Sequence, residues 1–362
     1  MRYYTKTHAY YCGVDLHTRS MYLCLIDAQG QTHLHKNLPT QPAALLHAIE
    51  PYRQDVVIGC ECVYTWYWLA DLCQQEKLTF VLGHALYMKA IHGAKTKSDR
   101  LDASKLAGLL RGGLFPLAYA YPQAMRATRD LLRRRCHLVQ LRSQLLSHIQ
   151  ISNQQYNLPA FDFRLSRSSD RENDAIVSRF QHPSTQLSIR TDLDLIDTLD
   201  LRIAAIEDHL VKHARVHQPR EYQLLQTIPG VGKVLGLVML YEIQDIHRFA
   251  NVGEFLSYAR LVRPKQESAG KITGWGSTKI GNAHLRWALA EAVLYLLRDL
   301  EPAKKWRQRI EAKKGTAVMI SILAARLGRA IYQMLKRGQA FDMPRFFGLV
   351  SATNKEAAMQ LP

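Results

Sequence analysis

Cysteine is scarce in this chain: six residues in 362, all within the first 136 (Cys12, Cys24, Cys60, Cys62, Cys73 and Cys136). None stands in C-x-x-C spacing, which argues against both a zinc ribbon and a disulfide framework and leaves buried, reduced thiols as the expected state. Also lacking is an apolar run of the roughly 18 to 20 residues needed to cross a bilayer; residues 235–243 are too few. The opening Met-Arg-Tyr-Tyr-Thr-Lys has neither the apolar stretch nor the small-residue cleavage site of a signal peptide, so a cytoplasmic location without a membrane partner is expected. Acid is in short supply as well. Against 48 Lys and Arg there are 31 Asp and Glu, a formal charge of +17. Self-repulsion on that scale costs stability unless counter-charge is bound, so a polyanion, and nucleic acid first, is the expected partner.

What is present suffices for two or three domains: 47% of the residues are hydrophobic, and the length allows sizeable cores. Residues 10–15, 21–27 and 32–38 read as strands of an antiparallel meander, with Ala28-Gln29-Gly30 as a turn. Helical periodicity over 43–52, a short apolar strand over 56–62, a helix over 66–75, a buried strand over 78–82 and a helix over 86–92 follow. Strands alternating with helices imply that part of the sheet is parallel. A meander followed by β-α-β units matches the RNase H-like order, in which metal-binding carboxylates sit on the first strand, the fourth strand and a later helix. The expected fold class is therefore α/β plus α: an RNase H-like (RuvC-like) domain over 8–120, a helical, coiled-coil arm region over 121–215, a mostly helical C-terminal domain over 216–350, and a frayed, flexible tail over 351–362. Residues 161–174 read as an exposed interruption of the arms.

Acids fall where the RNase H-like order needs them. Asp15 ends one apolar strand and Glu61 a second, and a buried carboxylate is expensive unless it is paired or holds a metal. Asp99 and Asp102, three apart in Lys97-Ser98-Asp99-Arg100-Leu101-Asp102, share one face of a helix. Taken alone, that pair reads as readily as Ser98 capping a helix whose positive N-terminus favours acid. Together the four suit magnesium or manganese, and two such ions can stabilise both oxygens of a phosphoryl transfer. Lys97 and Arg100 beside them offset charge or contact a phosphate.

Three further stretches are candidates for nucleic-acid contact. The arm begins with an arginine cluster, Arg133, Arg134 and Arg135 among them, opposed only by Asp130; it reads equally as a solvated face and as a backbone-binding stripe. Ile228-Pro229-Gly230-Val231-Gly232-Lys233, leading into an apolar helix, resembles the hairpin of a helix-hairpin-helix element, whose exposed N–H groups favour a phosphate at Gly230, Gly232 and Lys233. A plain helix-helix turn would use the same residues. Between 263 and 286, Arg263, Lys265, Lys271, Lys279, Asn282 and Arg286 surround small residues and offer phosphate contacts. Ser268 lies among them, by itself an ordinary loop serine, with Ser277 as its alternative should a hydroxyl attack a phosphodiester.

Gly13-Val14-Asp15, Glu61, the stretch 97–102, Ile228-Pro229-Gly230-Val231-Gly232, Glu267-Ser268 and Lys279-Ile280-Gly281-Asn282 with Arg286 together resemble the insertion-sequence transposases with an Asp-Glu-Asp-Asp active site, a group that includes Piv-type DNA invertases and bridge-RNA-guided recombinases. The resemblance covers nearly the whole chain. It implies that Asp15, Glu61, Asp99 and Asp102 hold Mg2+ or Mn2+ in a RuvC-like fold, and that Ser268 forms a covalent phosphoserine link to DNA. It further implies a homo-dimer or homo-tetramer in which the acids of one protomer meet the serine of another, acting on element-end and target DNA with an element-encoded guide (bridge) RNA as a further partner. A RuvC-like structure-selective nuclease of the Holliday-junction resolvase type would share the acids but use water as nucleophile.

Overall fold

Tyr10–Leu16 is the central strand of a five-stranded sheet in a computed structural model that describes residues 2–91, 98–214, 217–262, 265–275, 280–299 and 301–348. The expected tail at 351–362 lies outside the described residues. The chain divides into two units, Met1–Ala124 and Met125–Pro362.

In the first unit the elements run β1 (Tyr3–Tyr4), β2 (Tyr10–Leu16), β3 (Ser20–Asp27), β4 (Thr32–Pro39), α1 (Pro42–Ile49), β5 (Val56–Glu61), α2 (Trp66–Gln75), β6 (Thr79–Gly83), α3 (Ala85–Ile91), α4 (Asp99–Arg111) and β7 (Phe115–Pro116). The sheet order is β4-β3-β2-β5-β6, antiparallel through β4, β3 and β2 and parallel from β2 through β5 to β6. That is the mixed sheet expected from a meander followed by β-α-β units. Val56–Glu61 is apolar up to its final Glu61 because helices cover both of its faces, whereas β4, an edge strand, carries His33, His35 and Lys36 and ends at Pro39, as an unpaired edge requires. Alternate residues divide between two cores. Cys12, Val14, Ile58 and Cys60 pack with Leu45 of α1 and Leu69 of α2; Tyr11 and Val57 pack with Ala103, Leu106 and Leu110 of α4 on the other face.

Helix α4 lies directly on β2 because Gly13 has no side chain. A Cβ there would sit 2.3 Å from the Ala103 carbonyl oxygen and 2.4 Å from the Ala107 nitrogen, both rigid backbone. Gly59, level with Gly13 on β5, leaves room in the same way for Leu110.

The second unit contains α5 (Gln123–Gln155), α6 (Asn173–Ser178), α7 (Pro183–Ala214), α8 (Pro219–Gln226), α9 (Lys233–Ile243), α10 (Val252–Tyr258), β8 (Lys265–Ser268), β9 (Lys271–Trp275), α11 (Ala283–Asp299), α12 (Glu301–Lys314), α13 (Thr316–Arg337) and α14 (Met343–Phe347). The long helices α5 and α7 are joined by His148–Asp192, Arg142–Asp200 and Arg135–Glu207 pairs. As one residue number rises the other falls, so the arms run antiparallel. The segment 161–174 interrupts the arms and is largely exposed, as expected, but touches back onto α7 at two points. Leu165 is buried, and Arg171 donates to Asp197 (2.7 Å) and Asp200 (2.9 Å), because its apolar and charged residues find partners on the arm.

Leu235 through Ile243 of α9 is buried on every side, the pattern of a helix at the centre of a bundle. The single charge of that buried stretch, Glu242, accepts from Arg129 (3.0 Å), from Arg133 (2.7 and 3.0 Å) and from the Asn282 amide (2.7 Å). Asn282 also caps α11 by accepting from the Leu285 amide at 3.0 Å. Helix α13 is long and apolar enough to cross a membrane by length and composition, where the sequence reading found no such run. Its Met319, Leu323, Leu327 and Ile331 belong to the core of this unit.

Two outcomes follow. Gly13→Val should destabilise the first unit by about 2 to 3 kcal/mol, because α4 must move off the sheet; a lowered urea midpoint measures it. Glu242→Ala should cost about 3 to 5 kcal/mol by stranding buried guanidinium charge. Burial raises the Glu242 carboxyl, but the Arg133 and Arg129 charges and the Asn282 amide outweigh it and hold the group below its ordinary range. Its stabilising contribution is therefore present above the unfolded carboxylate range and lost as pH falls through the lower, folded value. Thermal melts between pH 7 and pH 3 should show wild type losing stability on acidification and Glu242→Gln losing less.

Candidate metal centre and nucleic-acid interface

The acids of the first unit converge through strand register and one close helix. Val14 is level with Cys60 on the parallel pair, so Asp15 and Glu61 are the next residues along two neighbouring strands. By strand alternation both lie on the α4 face, beyond Gly13 and Gly59. Helix α4 starts beside them, Ser98 capping it by accepting from the Leu101 amide at 3.3 Å, and both Asp99 and Asp102 fall in its first turn. Capping and acid convergence hold together: the cap orients the turn whose carboxylates meet the sheet, and the helix N-terminus moderates their charge.

Among the described residues, Asp15, His17 and Asp99 form a group whose ligand atoms all lie within 4.8 Å of one another. His17 Nε2 is 3.3 Å from Asp15 and 3.5 Å from Asp99. The sequence reading missed His17, although strand periodicity offered a signal: two residues past Asp15, it points to the same face. Its backbone is held by its own amide donating to Ser20 (3.0 Å) and by the Thr40 hydroxyl donating to its carbonyl (2.9 Å). Asp102 pairs with Lys105 at 3.0 Å. The Arg100 side chain is exposed at the same turn, while its carbonyl accepts from Ser104 (3.0 Å). Lys97 lies outside the described residues.

Burial pushes the Asp15 carboxyl above its usual range, and the negative charges of Asp99 and Asp102 push it the same way, against His17. A buried carboxylate facing the negative charge of two others forms a site that favours a cation. The donor set, hard carboxylate oxygens with one imidazole nitrogen, fits a divalent ion such as Mg2+ or Mn2+.

The second unit separates the nucleic-acid candidates. Arg133, Arg135 and Asn282, expected as nucleic-acid contacts, have internal partners: Arg133 and Asn282 serve Glu242, and Arg135 donates to Glu207 at 2.8 and 2.6 Å. Arg134, between them, is exposed. Helix periodicity explains the difference, since the charged cluster wraps round α5 and only part of it faces solvent. Residues 227–232 form the turn between α8 and α9, which both the hairpin and the plain helix-helix turn readings expect. Gly230 adopts a left-handed φ of +84°, and a Cβ there would sit 2.7 Å from that of Tyr295; Gly232 heads α9 with nothing within 4 Å. Lys233 and this turn line an open groove of about 1510 Å³ together with Trp287, Tyr295 and Arg298.

Where the sequence suggested a loop of small residues, β8 and β9 form an exposed antiparallel ribbon, turned by Ala269 and Gly270, both with positive φ. That two-residue turn pairs Ser268 with Lys271 at the ribbon tip, while Lys265 pairs with Trp275 at the other end. Arg263, Lys279 and the alternative nucleophile Ser277 lie outside the described residues. Arg286 is in the first turn of α11. Cys12, Cys24, Cys60, Cys73 and Cys136 are buried free thiols, as expected, but Cys62 is exposed because it follows the end of β5.

The metal centre makes a direct prediction. Calorimetric titration of the full chain should detect Mn2+ binding that is lost in the Asp15→Asn, Asp99→Asn double variant. His17→Ala should weaken Mn2+ about tenfold and Mg2+ less, since imidazole suits the softer ion. Affinity should fall on acidification at a higher pH than ordinary carboxylates would give, because Asp15 must lose its proton to bind.

Comparison with known proteins bears on both units. A DEDD-type IS110 transposase model matches residues 12–155, and a model described as the transposase IS116/IS110/IS902 family matches residues 222–308. The chain is 25% identical over 256 residues to the transposase for insertion sequence element IS1111A of Coxiella burnetii, covering 68% of each protein. It is 26% identical over 252 residues to "Putative transposase y4qE" of Sinorhizobium fredii, covering 67% of this chain and 59% of that one. With Asp15 and Asp99 of the first match brought together beside His17 and the second match spanning the turn after α8, the ribbon and α11, the chain belongs to the IS110 family of DEDD insertion-sequence transposases.

Proposed function

We propose that this protein cleaves and rejoins DNA strands at the ends of an insertion element and at its target, with Asp15, Glu61, Asp99 and Asp102 as the metal-binding set and Ser268 as nucleophile. The observation that carries the reading is the convergence of Asp15, Asp99 and His17 within 4.8 Å, with the charge of Asp102 felt at Asp15. A bound divalent ion would supply Lewis acidity at the scissile phosphate and stabilise developing charge on the oxygens around phosphorus. Asp15 and Asp99 would hold it in place, and Arg100 offers a phosphate contact beside them.

Ser268 supports the nucleophile role by its position: exposed at the tip of a ribbon, next to a two-residue turn and opposite Lys271. In the proposed step its Oγ forms a bond to phosphorus as the bond to one bridging oxygen breaks. The hydroxyl proton leaves to a base, and the departing DNA oxygen gains a proton. The resulting phosphoserine ester retains a phosphodiester bond, so attack by a hydroxyl of another DNA strand reverses the step and exchanges strands without an external energy source. Lys265, Lys271, Arg286 and the turn at Gly230, Gly232 and Lys233 are the proposed backbone contacts, as donors to phosphate oxygens. Assembly as a dimer or tetramer, and a guide RNA that selects sites by base pairing while the protein reads backbone shape, complete the reading.

The test is a denaturation-resistant protein-DNA adduct, formed with Mg2+ and labelled DNA from the element ends, with and without co-purified RNA. Wild type is expected to form the adduct, and Ser268→Ala and Asp102→Asn to abolish it. Full strand cleavage by Ser268→Ala would replace the serine mechanism with attack by water.

A further inference from the structure

Several arginines that pack within the second unit have an acid opposite them: Arg129 and Arg133 have Glu242, Arg135 has Glu207, and Arg171 has Asp197 and Asp200. The C-terminal end of α13 gathers arginines differently. Arg326, Arg329 and Arg337 of α13, with Arg345 of α14, line a cavity of about 260 Å³ whose single carboxylate is Asp342. One oxygen of Asp342 accepts from the Arg345 amide at 2.9 Å as the N-cap of α14. Arg326 is held, donating to the Phe346 carbonyl and lying over the Phe346 ring. Arg329, Arg337 and Arg345 are exposed, and no ion pair or side-chain hydrogen bond engages them among the described residues. A further guanidinium, that of Arg220, lies against Gly338, where a Cβ would be 2.4 Å from it. Burial, and then the neighbouring Arg329 charge, lower the proton affinity of Arg326.

Four like charges round one small cavity repel one another, and a bound anion relieves that cost. The walls between them are largely carbon, from Ala330, Met334, Phe341 and Phe346. At about 260 Å³ the cavity falls just below the roughly 300 to 1,000 Å³ usual for small-molecule sites, so it admits a single unit of a polymer, not a strand. An apolar, partly aromatic interior with a guanidinium rim suits a flat base inside and its phosphate outside. A base within a duplex is stacked and paired on both sides and cannot enter.

We propose that this cavity takes one unpaired nucleotide of a single-stranded nucleic acid, its base against Phe341 and its phosphate between Arg329, Arg337 and Arg345. A displaced DNA strand and an RNA carry the same chemistry, and the test separates them. The inference stands apart from the acidic centre and from Ser268, and it holds whether or not the strand-exchange reading does.

Fluorescence anisotropy of the full chain, in chelator so that no divalent ion contributes, reads the affinity for labelled oligo(dT), oligo(rU) and a duplex of equal length. The Arg329→Gln, Arg337→Gln double variant is expected to weaken single-strand binding by about tenfold and to flatten its log-affinity against log-salt slope by about 1.4, two phosphate contacts' worth, with less than about a twofold effect on duplex. Phe341→Leu is expected to weaken single-strand binding several-fold with the slope unchanged. Tighter binding of oligo(rU) would name RNA as the source and tighter oligo(dT) a displaced DNA strand, and either ordering supports the site. An equal loss on duplex, or undiminished single-strand binding in either variant, would overturn it.

Discussion

The contact on which the candidate metal centre depends is the seating of α4 on β2 across Gly13. Backbone meets backbone there, with the Ala103 carbonyl and Ala107 amide where a side chain would stand. A helix held off the sheet by even one methyl group would carry Asp99 and Asp102 away from Asp15, and the ligand atoms would no longer fall within reach of one ion. Burial first, and then the charges of Asp99 and Asp102, raise the Asp15 carboxyl, a cost that the packing of Leu106, Leu110 and Phe115 and the favourable helix N-terminus offset. Packing holds the carboxylates together, and a cation would relieve their repulsion.

The second unit handles charge in the opposite sense. Glu242 sits in the buried, otherwise apolar stretch from Leu235 to Ile243, and two guanidiniums from α5 and an amide from the start of α11 converge on it. A buried ion pair of this kind contributes little net stability compared with apolar packing, but breaking it is costly, so it acts as a register pin between three elements. It pins the arm to the bundle and the head of α11, just after the ribbon that presents Ser268, to the same point. The ribbon is exposed on both strands and owes little to the core, which suits an element whose partner is another molecule.

Surface charge is then divided by whether acid lies within reach. Along the arms, arginines of α5 face acids of α7 across the antiparallel seam, and their charge is spent on holding two long helices in register. At the end of α13 a single acid, Asp342, stands among four arginines lining a cavity of the described residues, and the positive charge there is largely unmatched. A net charge of +17 gives no hint of this division, because it counts both kinds of arginine alike.

The meander, the parallel strands and the acids at strand ends were legible because hydrophobic period and turn residues are local properties: the strands from residue 10 to residue 83 fall within a residue or two of expectation. Ser98 and the two acids after it were equally readable, since a cap and its first turn lie within five residues. Tertiary structure alone decided which side chains share space. His17 joined the acids because a strand end and a helix start meet there, Arg133, Arg135 and Asn282 turned inward to internal acids, and residues 161–174 touched back onto an arm some 30 residues away in sequence. The ribbon at Ser268 needed two successive left-handed residues, one of them an alanine that carries no turn signal. Local pattern determines the elements because it depends on near neighbours. The partner of a given charge depends on which elements pack together, and that is set by the sum of all burial at once.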